Sequence, residues 1–201
     1  IHNPDGSSLT NRYDDLDRLI ETKHSSGLVT TYNYDANNRV SHVSDNQGLD
    51  ESYTYNGHGK RLTQTNSLGE ITTYAYDDQD HVVEIIHADK TKESFTYDAV
   101  GNLLTSIDVS GNQTSYRYDK SGNLKEKTDV KGNTTSYTYD SINQVVTEKD
   151  PAGGEVSYTY DVLGNVSSIT DANGDQTTYG YDANKNLVLY TDAKGKTTAL
   201  K

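Results

Sequence analysis

The sequence predicts an all-β fold: a continuous antiparallel meander of 21-residue β-hairpin repeats forming a twisted, spiralling sheet. Three observations carry that prediction. Tyrosine recurs at Tyr13, Tyr34, Tyr55, Tyr76, Tyr97, Tyr118, Tyr139, Tyr160 and Tyr181, every interval being 21 residues. Turn-forming Asp, Asn and Gly recur at two fixed phases between those tyrosines. The stretches between turns are rich in β-branched and aromatic residues, and none shows a helical period. A period this strict marks a repeat architecture, in which each unit rests on its neighbours.

The elements follow in order, numbered from the tyrosine as position zero. Residues 1–12 form a partial leading repeat, with Pro4 and Gly6 in phase with later turn residues; residues 13–201 form nine repeats, one array in all. Position +1 is Asp in every repeat except at Asn56. Position +4 is Gly59, Gly101, Gly122 or Gly164, and elsewhere Asp17, Asn38, Asp80, Asn143 or Lys185. Gly, Asn and Asp tolerate positive φ best, so +1 to +4 reads as a type I turn ending in a left-handed residue, with the Asp side chain capping it. Lys185 departs from this rule, and Asn184 is expected to take the left-handed position instead.

A strand then starts on an apolar residue at +6: Leu19, Val40, Val82, Leu103, Leu124, Val145, Val166 or Leu187, with Arg61 the exception. A second turn spans +11 to +14. It is opened by Asp45, Asp108, Asp129, Asp150, Asp171 or Asp192 and closed by glycines that include Gly48, Gly69, Gly111, Gly132, Gly153 and Gly174. Lys90 is the only residue there that is not glycine. The strand that follows ends in aromatic, x, Tyr. Residues two apart share one strand face, so Tyr34, Tyr55, Tyr76, Tyr97, Tyr118, Tyr139, Tyr160 and Tyr181 are expected to form a structural ladder, and the glycines its structural turns. Nine repeats give eighteen strands.

Composition alone would mislead. Of the 201 residues 31% are hydrophobic, and the net charge is −12, values typical of disorder. The 17 tyrosines at fixed phases argue otherwise, because tyrosine combines a large apolar ring with a polar tip and can build a thin core. The acidic balance disfavours nucleic acid. There is no cysteine, hence no thiol chemistry, and no apolar run approaches a membrane span of about 18 residues.

Local chemistry offers little. His2, His24, His42, His58, His81 and His87 have no tight metal-ligand spacing and read as solvated. Asp171-Ala172-Asn173-Gly174-Asp175 resembles the start of a calcium loop, but it coincides with the repeat's own turn and lacks the bidentate Glu. Asp recurs in most turns, so no catalytic carboxylate pair stands out, and no nucleophile elbow, phosphate loop or dinucleotide fingerprint is present. The sequence predicts no enzyme, no catalytic or metal residue and no cofactor, and leaves ligand-binding residues unknown. Tyrosine ladders also suit stacking on sugar rings, but their regular spacing favours a structural role.

The unit Tyr-x-Tyr-Asp-x-x-Gly-Asn-Leu, followed by Asp-x-x-Gly-Asn-x-Thr, resembles the Rhs/YD repeat of bacterial Rhs and wall-associated polymorphic toxins, the Tc toxin C component and teneurins. Gly101-Asn102-Leu103, Gly122-Asn123-Leu124 with Asp129 to Thr135, and Gly164-Asn165-Val166 carry the resemblance, which spans the chain. It implies a partial YD-repeat shell: a β-strip spiralling into a hollow wall that, in the toxins, encloses a C-terminal toxin domain. It also implies that the chain is one piece of a longer array. The family's Asp-Pro-x-Gly self-cleavage motif has a superficial match at Asp150-Pro151-Ala152-Gly153, which lies in phase and reads as an ordinary turn. The expected partners are the remaining repeats and the C-terminal cargo domain of the parent. The expected location, by resemblance, is a secreted or cell-surface bacterial protein. The alternative is a cell-surface repeat module binding a carbohydrate or a protein receptor.

Overall fold

The computed structural model describes residues 8–200; His2, Pro4 and Gly6 lie outside them. Every regular element among these residues is a β-strand. The chain divides into two compact units, Ile1–Thr96 with Ile107–Gly111, and Tyr97–Ser106 with Asn112–Lys201.

In the first unit the strands are β1 (Leu9–Tyr13), β2 (Leu19–His24), β3 (Val29–Tyr34), β4 (Val40–Asp45), β5 (Asp50–Tyr55), β6 (Arg61–Thr65), β7 (Ile71–Tyr76), β8 (Val82–Ile86) and β9 (Lys92–Tyr97), whose last residue belongs to the second unit. Each pairs antiparallel with the next. The remaining strands are β10 (Leu103–Ile107), β11 (Gln113–Tyr118), β12 (Leu124–Thr128), β13 (Thr134–Tyr139), β14 (Val145–Lys149), β15 (Glu155–Tyr160), β16 (Val166–Thr170), β17 (Gln176–Tyr181), β18 (Leu187–Thr191) and β19 (Thr197–Ala199). From β11 to β19 each again pairs antiparallel with its successor. The fold is an all-β antiparallel meander. The strand beyond the expected eighteen is β1, contributed by the leading partial repeat.

The two kinds of hairpin pair to different depths. Across a second turn the ladder stops early: β12 and β13 join only at Glu126–Ser136, Lys127–Thr135 and Thr128–Thr134. Across a first turn the ladder runs the length of the strand and contains a bulge, as in β13–β14, where Thr138 faces Thr147 but Tyr139 faces Val145. The bulge recurs in β1–β2, β3–β4, β5–β6, β7–β8, β11–β12, β15–β16 and β17–β18. An extra residue on one strand increases local twist. Successive hairpins therefore splay apart toward the first turns and stay joined near the second turns.

Both turns obey one rule. In the second turn at Asp129, Gly132 N–H donates to the Asp129 carbonyl at 2.9 Å and Asp129 N–H donates to the Asn133 carbonyl at 2.9 Å. The first turn at Asp140 repeats this, with Asn143 N–H on the Asp140 carbonyl at 3.2 Å and Asp140 N–H on the Gln144 carbonyl at 2.9 Å. The fourth residue is left-handed throughout, including Gly48, Gly69, Gly111, Gly132, Gly153 and Gly174. Asp17, Asn38, Asp80 and Asn143 adopt it as the sequence predicts. Lys185 corrects one expectation: it takes φ 65° itself, while Asn184 N–H donates to the Asp182 carboxylate. The turn's hydrogen bonds fix where the left-handed residue falls, and they override the preference of the side chain that occupies it.

No apolar side chain among the described residues is buried, and the one buried side chain there is Ser168, which is still 7% exposed. A thin core in the ordinary sense is therefore missing. The ladder tyrosines are half-buried. Each unit is held by its ladders, its turns and one face of half-buried aromatic and aliphatic side chains.

Candidate functional site: the tyrosine face and the turn aspartates

Every ladder tyrosine is the last residue of its strand, in β3, β5, β7, β9, β11, β13, β15 and β17. That position lies where the hairpins splay. Tyr34 Oη donates to the Leu19 carbonyl at 2.7 Å, Tyr55 to Val40 at 2.6 Å, Tyr76 to Arg61 at 2.7 Å, Tyr139 to Leu124 at 2.7 Å and Tyr160 to Val145 at 2.7 Å. Each acceptor is the +6 residue of the preceding repeat. The side chain thus supplies a cross-strand bond beyond the point where the backbone ladder has ended. An unpaired carbonyl beside half-buried rings costs free energy, and the tyrosine hydroxyl satisfies it.

Equivalent tyrosines stand two strands apart, and an intervening side chain separates their rows. The register sets Tyr32 opposite Val43, Tyr53 opposite Gln64, Tyr74 opposite Ile85 and Tyr158 opposite Ile169. In β17–β18 the intervening residue is itself aromatic, and the Tyr179 and Tyr190 rings lie 5.8 Å apart.

The turn aspartates work through both carboxylate oxygens. Asp119 Oδ1 accepts from the N–H groups of Ser121 and Asn123 at 2.8 and 2.9 Å, and Oδ2 accepts from the Asn123 amide at 3.0 Å. Asp98 with Asn102, Asp161 with Asn165, Asp182 with Asn186 and, in a second turn, Asp129 with Asn133 repeat the arrangement. The asparagine amide, then the backbone N–H groups, hold Asp98, Asp119, Asp129, Asp161 and Asp182 below the ordinary carboxylate range. The Gly-Asn-Leu signature points to this asparagine, yet its role as the second arm of the cap emerges only from the geometry.

Where +5 is arginine, the guanidinium takes over. Arg18 Nε donates to Asp14 Oδ2 at 2.7 Å, Nη1 donates to Asn38 Oδ1 at 2.7 Å, and the guanidinium carbon lies 4.7 Å above the Tyr34 ring. Arg39 does the same with Asp35, the Asn56 carbonyl and the Tyr55 ring, again at 4.7 Å. Arg61, the exception at +6, covers the Tyr53 ring at 4.4 Å and donates to Gln64 Oε1 at 2.9 Å. Cation–π stacking replaces the missing aliphatic packing there. Tyr53 Oη donates to Glu51 at 2.5 Å, and burial followed by the Glu51 carboxylate pushes this phenol up to about 12.

The opposite face is polar and matched pair by pair. Residues −1 and +8 of a repeat face each other as Arg12–Glu21, Asn33–His42, Thr54–Thr63, Arg117–Glu126, Thr138–Thr147 and Thr159–Ser168. Their side chains bond at 2.7 to 3.4 Å. Gly180 faces Leu189, and a Cβ on Gly180 would lie 3.0 Å from Leu189 Cβ. A small residue accommodates a large one.

The described histidines keep part of their surface in solvent and also bond neighbouring side chains or turn backbone. His42 bonds Asp50, His58 bonds Asp80, His81 bonds Asp77 and His87 bonds Glu93, at 2.8 to 3.1 Å. His24 replaces a turn aspartate and accepts the Ser26 N–H on Nδ1 at 3.1 Å. Among the described residues no group of three or more His, Asp or Glu is placed to hold a metal ion. Asp171 accepts from the N–H groups of Asn173 and Asp175, as a turn cap does. Asp150-Pro151-Ala152-Gly153 is likewise a turn, with Gly153 N–H on the Asp150 carbonyl at 3.0 Å.

The comparisons with known proteins agree with this architecture. The teneurin YD-shell family model matches residues 1–156, and the RHS repeat model matches residues 139–176 and 160–197. No curated protein matches by sequence. The crystal structure of TcdB2-TccC3-TEV is similar with a TM-score of 0.76 at 17% identity, over 92% of this chain and 11% of that one. The Photorhabdus luminescens Tc holotoxin pore carrying TccC3-D651A is similar at 0.60 and 14% identity, over 92% of this chain and 13% of that one. The crystal structure of TcdB2-TccC3-Cdc42 is similar at 0.58 and 15% identity, with the same coverage. The chain spans about a tenth of the length of these structures, and the likeness shows the fold. With more than half of its residues matched by one family model, the chain belongs to the teneurin YD-shell family of Rhs-type repeat proteins.

Proposed function

We propose that this chain is a segment of a shell wall that encloses or presents a toxin or effector domain of a secreted or surface-displayed bacterial parent. Membership of the YD-shell family supports a structural wall role. The observation that carries the reading is the tyrosine bond between successive repeats, from Tyr34–Leu19 through Tyr160–Val145. At these five positions it ties a hairpin to the one before it at the margin where the backbone ladder stops, so the ladder tyrosines act as the rungs of the wall and the turn glycines as its corners. The wall's partners are then the other repeats of the parent and the cargo domain that they surround. Sugar stacking on the tyrosines fits less well, because the rings are half-buried and five of their hydroxyls are engaged by backbone carbonyls.

Limited proteolysis of the full parent protein tests the proposal. Its C-terminal domain is expected to resist protease while the shell is intact and to be digested once the shell has been opened by denaturant. A C-terminal domain cleaved equally fast in both states, or a parent with no further repeats, would overturn it.

A further inference from the structure

Between the turn at Asp119 and the strand end at Tyr139 lies a cleft of about 300 Å³, lined by residues that include Asp119, Asn123, Lys125, Tyr139, Asp140 and Asn143. It opens where β12 and β13 separate beyond the Glu126–Ser136 pair. The equivalent place in the first unit is filled by the protein itself. There Arg18 bridges Asp14 and Asn38 with its guanidinium over the Tyr34 ring. In the second unit Asn123 reaches the same two partners, Asp119 Oδ2 at 3.0 Å and Asn143 Oδ1 at 2.8 Å, with a shorter side chain. Tyr139 is held as Tyr34 is, its hydroxyl on the carbonyl of the residue fifteen positions earlier. The ring has the same fixture and lacks its cover.

We propose that this cleft receives a guanidinium group, the arginine side chain of a protein partner, laid on the Tyr139 ring beside the Asp119 and Asp140 carboxylates. The internal arginines define the occupant. A planar cation both stacks on tyrosine and forks onto a carboxylate, whereas a compact ammonium does only the second. The net charge of −12 draws a basic partner toward the surface. Lys125, standing where the first unit has Ile20, is the one opposing charge in the lining, and its exposed side chain can turn away. The cleft accepts or refuses guanidinium whatever the parent encloses, so this test and the shell test can fail separately.

The probe is N-acetyl-arginine amide titrated into isotopically labelled protein, with the Asn123 and Asn143 amides and the Tyr139 ring followed by NMR. Saturable shifts confined to these groups are expected. N-acetyl-lysine amide should give much smaller ones. Asn123→Arg should abolish the response by filling the cleft from within, and Lys125→Ile should tighten binding several-fold. Equal shifts with the lysine probe, or a response that survives Asn123→Arg in folded protein, would overturn the proposal. Should Asn123→Arg fail to fold, an unchanged affinity in Lys125→Ile would overturn it as well.

Discussion

The hydroxyl of Tyr139 donates to the carbonyl of Leu124 at 2.7 Å, across two strands whose backbone ladder has already ended at Glu126–Ser136. A side chain does there what the main chain has stopped doing. The geometry returns at Tyr160 and Val145, 21 residues later, so its removal has a calculable effect.

Tyr139→Phe keeps the ring and deletes only that bond. The expected loss is about 0.5–1.5 kcal/mol, the net contribution of one hydrogen bond. Tyr160→Phe should cost the same, and the double variant should cost close to the sum. Urea titration followed by circular dichroism measures all three. A loss near zero at both sites would show that water replaces the bond at no cost.

Gly132 and Lys90 occupy the same turn position in different repeats, with φ of 81° and 71°. A Cβ at Gly132 meets nothing within 4 Å, so any penalty there comes from the backbone. Gly132→Val should destabilise by about 1–3 kcal/mol, because a β-branched residue is strained in the left-handed region. Lys90→Gly should be neutral or stabilising, since it relieves that strain. Thermal melts of the two variants should move apart, and a common direction would contradict the turn geometry.

The capped aspartates set an acid limit. Asp98, Asp119, Asp129, Asp161 and Asp182 sit below their ordinary pKa in the folded chain, chiefly through the asparagine amide. A depressed carboxylate stabilises above its unfolded value and loses that contribution as the pH falls through the folded one. Melting temperature should therefore fall below about pH 4. Asn123→Ala and Asn133→Ala raise the folded values of Asp119 and Asp129 toward the unfolded one, so both variants should be less stable at neutral pH and lose less on acidification, with the onset unchanged and the end of the fall at higher pH.

Tyr53 predicts the alkaline side. Burial and Glu51 raise its pKa to about 12, so the folded chain favours the neutral phenol. That contribution is complete below the ordinary tyrosine value of about 10 and disappears as the pH rises toward 12. In a phenolate absorbance titration Tyr53 should be among the last tyrosines to ionise. Glu51→Gln should lower its pKa, and an unchanged titration in that variant would leave burial as the sole cause.

The sequence by itself determined what repeats at short range. The 21-residue period, the strand–turn alternation and the need for a left-handed fourth turn residue all follow from local backbone chemistry. Lys185 shows the boundary of that reading, because the turn's hydrogen bonds placed the left-handed residue there and its neighbour Asn184 did not displace it. Only the tertiary structure decided what depends on register. The bulges of the first hairpins whose register is described, such as β13–β14, the early end of second ladders such as β12–β13 and the bond from Tyr139 to Leu124 all require knowing which residues of adjacent strands face each other. The pairing of Arg117 with Glu126, and the way Arg18 covers Tyr34 while Asn123 leaves Tyr139 open, become visible only at that level. The physical reason is that a one-residue slip exchanges the two faces of a strand while leaving the sequence pattern unchanged, so the period specifies the wall and the packing of neighbouring strands selects its contacts.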